Sequence, residues 1–126
     1  VPQLFVSPRE PLVSGRRSLT RQGDGRIQPT PTYEHELLVT ELSNKKMVPF
    51  KTTIKARAFE DFENWIRHSG EEFLLVLAGK VRFYSEFYEP LLLVEGDSLY
   101  YDAGMGHICV SESEQDAIIL WVTTPS

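Results

Sequence analysis

Three side chains have the types and spacing to hold one divalent metal ion: His68, Glu72 and His107. In His68-Ser69-Gly70-Glu71-Glu72 a carboxylate follows an imidazole by four residues, and Gly79 closes the apolar run that comes next. Downstream, Gly96-Asp97-Ser98 is followed by His107, eleven residues after the glycine. Two neutral imidazoles and one carboxylate on one metal face, with other positions open, is the arrangement of non-haem Fe(II) sites. Zn(II) in an open catalytic geometry accepts the same donors. Residues two apart in a strand share a face, so Glu72, Leu74, Val76 and Ala78 line one side. His68 has the same parity, but Gly70 intervenes and can turn the chain. His107, Cys109 and Ser111 form a second alternating set, with Ile108 and Val110 opposite. Taken alone, three scattered polar residues are more often surface or capping groups than metal ligands. The remaining histidine, His35 in Tyr33–Leu37, reads as a solvent-facing or core-edge residue of a strand.

The elements that must position these groups are short and β-rich. Glu36–Leu42 and Met47–Ala58 read as strands separated by a turn at Ser43–Lys46, with Thr52–Arg57 alternating as a half-exposed strand does. Phe73–Leu77, Lys80–Tyr84, Leu91–Val94, Ser98–Tyr101, Ile108–Val110 and Ala117–Val122 follow, punctuated by Gly79, Pro90, Gly96-Asp97, Gly104 and Ser111–Gln115. Many short strands at regular spacing point to a sandwich or barrel. Glu60–Arg67 has a weak helical pattern, yet Trp65-Ile66 is expected to lead into a strand carrying His68. Residues 1–32 hold five of the eight prolines and three glycines. They read as an extended or irregular N-terminal arm, with a short strand near Gln3–Val6, ahead of a barrel over residues 33–126.

A chain of 126 residues, 41% hydrophobic and 11% aromatic, fits one domain with a single core. Thirteen Lys and Arg against eighteen Asp and Glu leave a formal charge of −5, which argues against direct grip on a phosphate backbone. The basic residues Arg9, Arg16, Arg17, Arg21 and Arg26 are interleaved with Gly, Pro and Ser, and read as a solvated arm. Cys109 is the only cysteine, so no internal disulfide forms and a reducing cytoplasm is the expected location. It could point into the barrel beside His107, although a small buried filler is the commoner role. No apolar run approaches the ~20 residues needed to span a bilayer, and no signal-peptide pattern is visible.

Together the two stretches, His-x3-Glu-x6-Gly and Gly-Asp followed by a lone His, resemble the paired motifs of the cupin superfamily. The resemblance implies an all-β fold, the cupin double-stranded β-helix or jelly-roll barrel, with His68, Glu72 and His107 as metal ligands for Fe(II) or Zn(II). One family ligand is missing, because the first His of the usual motif falls on Ile66. A finer resemblance, over roughly residues 33–123, is to the C-terminal cupin sensor domains of XRE-type helix-turn-helix bacterial regulators. It is carried by His68–Phe73, Val76–Gly79, Tyr88-Glu89-Pro90, Gly96–Asp102, Gly106-His107 and Ala117–Val122. No helix-turn-helix fits residues 1–32, and the chain opens on Val1, so the expectation is a sensor domain separated from its DNA-binding module.

Such a domain would bind a small molecule in the barrel mouth, with Tyr101, Phe83, Tyr100, Met105, Cys109 and Trp65 lining a partly apolar pocket. It would touch DNA only through the absent module, would not contact a membrane, and would pair as a homodimer. The alternative implied by the motifs is a mononuclear non-haem Fe(II) cupin enzyme of the epoxidase or dioxygenase type. The hydroxypropylphosphonate epoxidases are similar in plan. A metal-free structural or dimerisation module is the third reading.

Overall fold

The computed structural model describes residues 15–126, and these form an all-β domain of two antiparallel sheets. The strands are β1 (Arg26–Pro29), β2 (Tyr33–Leu37), β3 (Val48–Ile54), β4 (Glu71–Ala78), β5 (Lys80–Ser85), β6 (Tyr88–Val94), β7 (Ser98–Asp102), β8 (His107–Ser111) and β9 (Ala117–Thr123). One sheet has the order β1-β2-β3-β9-β4-β7 and the other β6-β5-β8. This is the jelly-roll barrel that the strand spacing and the two motifs predict. Strand alternation builds the core. Glu72, Leu74 and Val76 of β4, Val81, Phe83 and Ser85 of β5, and Ala117, Ile119 and Trp121 of β9 all point between the sheets. No helix among the described residues is long and apolar enough to cross a membrane.

Several boundaries differ from the sequence expectation, each for a local reason. β2 stops at Leu37 rather than running to Leu42, because its pairing ends at Leu37↔Phe50 and Val39 takes a left-handed φ of 46°. The helical pattern at Glu60–Arg67 comes to one 3-10 turn at Phe59–Asp61. The Asp61 carboxylate accepts the Arg57 and Ala58 backbone N–H groups at 2.8 and 3.1 Å and anchors that turn. His68 sits not on a strand but on the loop after an isolated bridge between Ile66 and His107. Within the stretch expected to be an arm, Arg26–Pro29 pairs with Glu34–Leu37 and adds β1 to the larger sheet. The expected strand at Gln3–Val6, and Arg9, lie outside the described residues.

Two glycines are required by the turns that frame the site. Gly79 has φ +81° and lets the chain step from β4 in one sheet to β5 in the other; a Cβ there would sit 2.7 Å from Ser113 Oγ. Gly70 has φ +96°, and a Cβ would fall 2.2 Å from the Thr124 carbonyl oxygen. It is the hinge that turns His68 back over the start of β4. Gly70→Ala is expected to lower stability by roughly 1–3 kcal/mol through the forced left-handed backbone, with more from the clash. Urea unfolding monitored by tryptophan fluorescence would measure it. An unchanged midpoint would show that the loop relaxes freely.

Candidate metal centre

Each donor is brought to the centre by a different piece of backbone. Glu72 is the second residue of β4 and lies opposite Tyr101 on β7 and Thr123 on β9. His107 opens β8 in the facing sheet, paired with Ser85. The His68 loop is stitched down on both sides: His68 N–H donates to the Ala103 carbonyl at 3.0 Å, and Ala103 N–H donates to Gly70 at 2.9 Å. The three side chains therefore meet between the sheets at one end of the barrel.

One donor atom from each residue can be chosen so that all lie within 4.8 Å of one another. His68 Nε2 is 3.0 Å and His107 Nε2 3.5 Å from the two oxygens of Glu72. Ligands at ~2.0–2.2 Å from a common ion and roughly at right angles stand about 3 Å apart, so the spacing fits one small divalent cation. His107 Nδ1 is 2.8 Å from the Met105 carbonyl, which assigns the ring proton to Nδ1 and leaves Nε2 as a free lone pair. Burial pushes the His107 imidazole below its ordinary value, and the nearby His68 adds to this; the Met105 carbonyl and the Glu72 charge oppose it. The neutral ring is the form that binds a metal. The donor set suits such an ion: two available imidazoles and one carboxylate, with His68 exposed toward solvent and the other two residues buried.

Glu72 is only 4% exposed, and its partners are the two imidazoles and the Tyr101 hydroxyl; no Lys or Arg among the described residues reaches it. A buried carboxylate without a cationic partner is costly, and a divalent ion would supply the missing charge. Tyr101 donates to Glu72 and accepts the Trp121 Nε1–H at 2.9 Å. Burial and the Glu72 charge raise the Tyr101 pKa far above the usual phenol value, so the hydroxyl stays protonated as a donor. The chain Trp121–Tyr101–Glu72 thus orients the carboxylate from behind.

The residues expected to form a pocket divide. Phe83, Tyr100, Tyr101 and Met105 line a cleft of about 660 Å³ beside the centre, with the Tyr101 and Phe83 rings 5.0 and 6.4 Å from the His107 ring. Cys109 does not reach it: the thiol is fully buried in the core, where burial raises its pKa. Trp65 lines a separate, shallower depression and packs edge-on against Phe59. His35 is half-buried between Phe50 and Tyr33, its Nδ1 2.8 Å from Thr52 Oγ1. The expectation missed Phe87, Tyr88, Glu89 and Asp102 on the cleft wall. The available signal was a pair of aromatics placed at a turn, Phe87-Tyr88, where solvent exposure without a function is unfavourable.

The missing fourth ligand has a place in this geometry. Ile66 and His107 exchange backbone hydrogen bonds at 3.3 and 3.0 Å, so their side chains lie on the same face. Ile66→His is expected to tighten Zn(II) binding roughly tenfold or more, about 1.4 kcal/mol, read by competition with a chromophoric chelator. Unchanged affinity would mean that the new ring does not reach the ion.

Fold and centre together define a cupin, and comparison with known proteins agrees. The family model described as Cupin domain matches residues 59–123, and the chain belongs to that family. No curated protein matches the chain. Among solved structures, it is similar to Fe(II)-HppE with the alternative substrate (S)-1-HPP, at 19% identity and TM-score 0.72, over 87% of this chain and 60% of that one. Hydroxypropylphosphonic acid epoxidase from S. wedmorenis gives 19% identity and TM-score 0.70, over 84% and 58%. An RmlC-like cupin from Shewanella frigidimarina NCIMB 400 gives 15% and 0.69, over 88% and 93%. The chain thus spans about 60% of the epoxidase chains it matches. At these identities the likeness is one of fold.

Proposed function

We propose that this chain is a ligand-sensing cupin that binds a divalent metal through His68, Glu72 and His107 and holds a small molecule in the adjoining cleft. The observation that carries the proposal is the meeting of these donors, one of them solvent-facing, beside an open cleft. When bound, the metal supplies a Lewis-acidic point for a ligand donor atom. The chain's own residues do the rest: Tyr101 and Met105 orient Glu72 and His107, and the cleft wall shapes the ligand. In this reading the domain belongs to a cytoplasmic XRE-type regulator whose helix-turn-helix contacts DNA. Ligand binding changes the domain's shape or pairing only if it favours one state over the other. A homodimer joined through the N-terminal segment and an edge strand fits the exposed edges β1 and β6, whose β6 residues Leu91, Leu92 and Val94 are also exposed.

The second reading, an Fe(II) enzyme, is supported by the likeness to Fe(II)-HppE and by the His-His-Glu donor set itself. Metal analysis after chelator-free purification is the first test; near-stoichiometric Fe or Zn supports the metal centre, and metal-free protein that also rejects added Zn(II) removes it. Oxygen uptake by the Fe(II)-loaded protein with cleft-binding compounds then separates enzyme from sensor, since a sensor consumes none.

A further inference from the structure

The cleft beside the metal centre has a charge and surface character that the centre does not dictate. Its outer wall is aromatic: Phe87, Tyr88 and Tyr100 are 76%, 68% and 63% exposed. Glu89 and Asp102 stand on the same wall, both exposed, and among the described residues neither carboxylate has a side-chain ion-pair partner. The lining contains no Lys, Arg or His. The nearby cation Arg67 is committed to Glu86 by a bidentate pair, and Arg82 to Glu112. Glu71 adds negative charge behind Tyr100, whose hydroxyl donates a hydrogen bond to its carboxylate. Ring faces are negative, so aromatic walls attract cations, and two unpaired carboxylates reinforce that preference. An anion entering the same space would meet both with no Lys, Arg or His in the lining to offset them.

We infer that this cleft selects a small organic cation, an amine or quaternary ammonium with an apolar body, and disfavours phosphonates and carboxylates. The cation sits among Phe87, Tyr88 and Tyr100, between Glu89 and Asp102, with its apolar body against Met105. A volume of about 660 Å³ is ample for such a molecule. The inference rests on the ligand-binding reading above and names its ligand class. An ammonium has no lone pair for the metal, so it sits at the outer wall, away from the metal donors, and any atom that reaches the ion is a separate group of the ligand. The two can still fail separately, because the cleft wall and the metal donors share no residue.

The test uses the whole chain and three matched probes: phenethylamine, neutral 2-phenylethanol and anionic 3-phenylpropionate, with binding read by calorimetry. Phenethylamine is expected to bind about tenfold more tightly than the alcohol, with the carboxylate weakest. The preference should shrink as salt rises, because exposed charges are screened. The Glu89→Gln/Asp102→Asn double variant should lose most of the amine preference, the aromatic wall keeping a remainder, while its affinity for the alcohol holds. Equal or tighter binding of the carboxylate, no binding of any probe, or an undiminished preference in the double variant would each overturn the inference. Repeating the series with and without Zn(II) separates the two readings. Amine selectivity in a protein that rejects Zn(II) upholds the cleft and removes the metal centre. Zn(II) binding without amine selectivity does the reverse.

Discussion

Glu72→Gln abolishes the metal-dependent rise in melting temperature while leaving the fold intact. A ligand that binds only the native state at about 100 times its dissociation constant stabilises by about 2.7 kcal/mol. For a domain of this size that is a rise on the order of 10 °C. Glu72 is the one anionic donor of the three, so the amide removes most of the attraction for a divalent ion while keeping shape and hydrogen-bonding capacity. Without metal, the variant should melt at or above the wild type. The carboxylate it replaces is 4% exposed and has no Lys or Arg partner among the described residues, and a buried unpaired charge is costly. Thermal scans with and without Zn(II) on both proteins give all four values. An equal metal shift in both would place the ion elsewhere, and a collapsed apo variant would make Glu72 a structural residue instead.

Tyr101→Phe produces the second large effect, and it acts through two neighbours. The hydroxyl accepts from Trp121 Nε1 at 2.9 Å and donates to Glu72, all three side chains being buried. Its removal leaves the indole N–H without an acceptor and takes one donor from the carboxylate. Leaving a buried polar group unsatisfied costs about 1–3 kcal/mol, and losing a group that orients a ligand lowers metal affinity about 10–100-fold. Adding Trp121→Phe removes the stranded N–H, so the double variant should be less destabilised than the sum of the singles. A double-mutant cycle by urea unfolding, paired with Zn(II) titration, measures both parts. Strict additivity in stability and unchanged affinity would reduce Tyr101 to a packing residue.

Much of this was legible from residue types and short spacings. Short runs such as Phe73–Leu77, Lys80–Tyr84 and Ala117–Val122, bounded by Gly79, Gly96-Asp97 and Ser111–Gln115, marked strands, because a buried sheet needs only a few apolar residues between turns. His68, Glu72 and His107 stood out because few residue types bind metals and the spacing matched a known pair of motifs. Less was legible where conformation depends on distant partners. Glu60–Arg67 carries a helical pattern, but tertiary pairing claims Ile66 for a bridge with His107. Cys109 and His107 share strand parity, yet the thiol ends in the core and the imidazole at the centre. Parity chooses a face of the sheet; it does not choose a depth within the barrel.

By itself, then, the sequence determined the strand content, the turn glycines and the metal-type donors, all set by steric and chemical preferences acting within a few residues. Only the tertiary structure decided that those donors meet. That depends on Gly70 folding His68 back against Ala103 and on β8 closing over β4 from the other sheet. Tertiary structure also joined Trp121, Tyr101 and Glu72, since the pairings of β4 with both β7 and β9 bring together residues far apart in the chain. The aromatic and acidic cleft arises in the same way, from the β5–β6 turn and β7 sharing one wall. Such contacts follow from register and sheet order, which many strand arrangements of one sequence pattern could satisfy until the core packs.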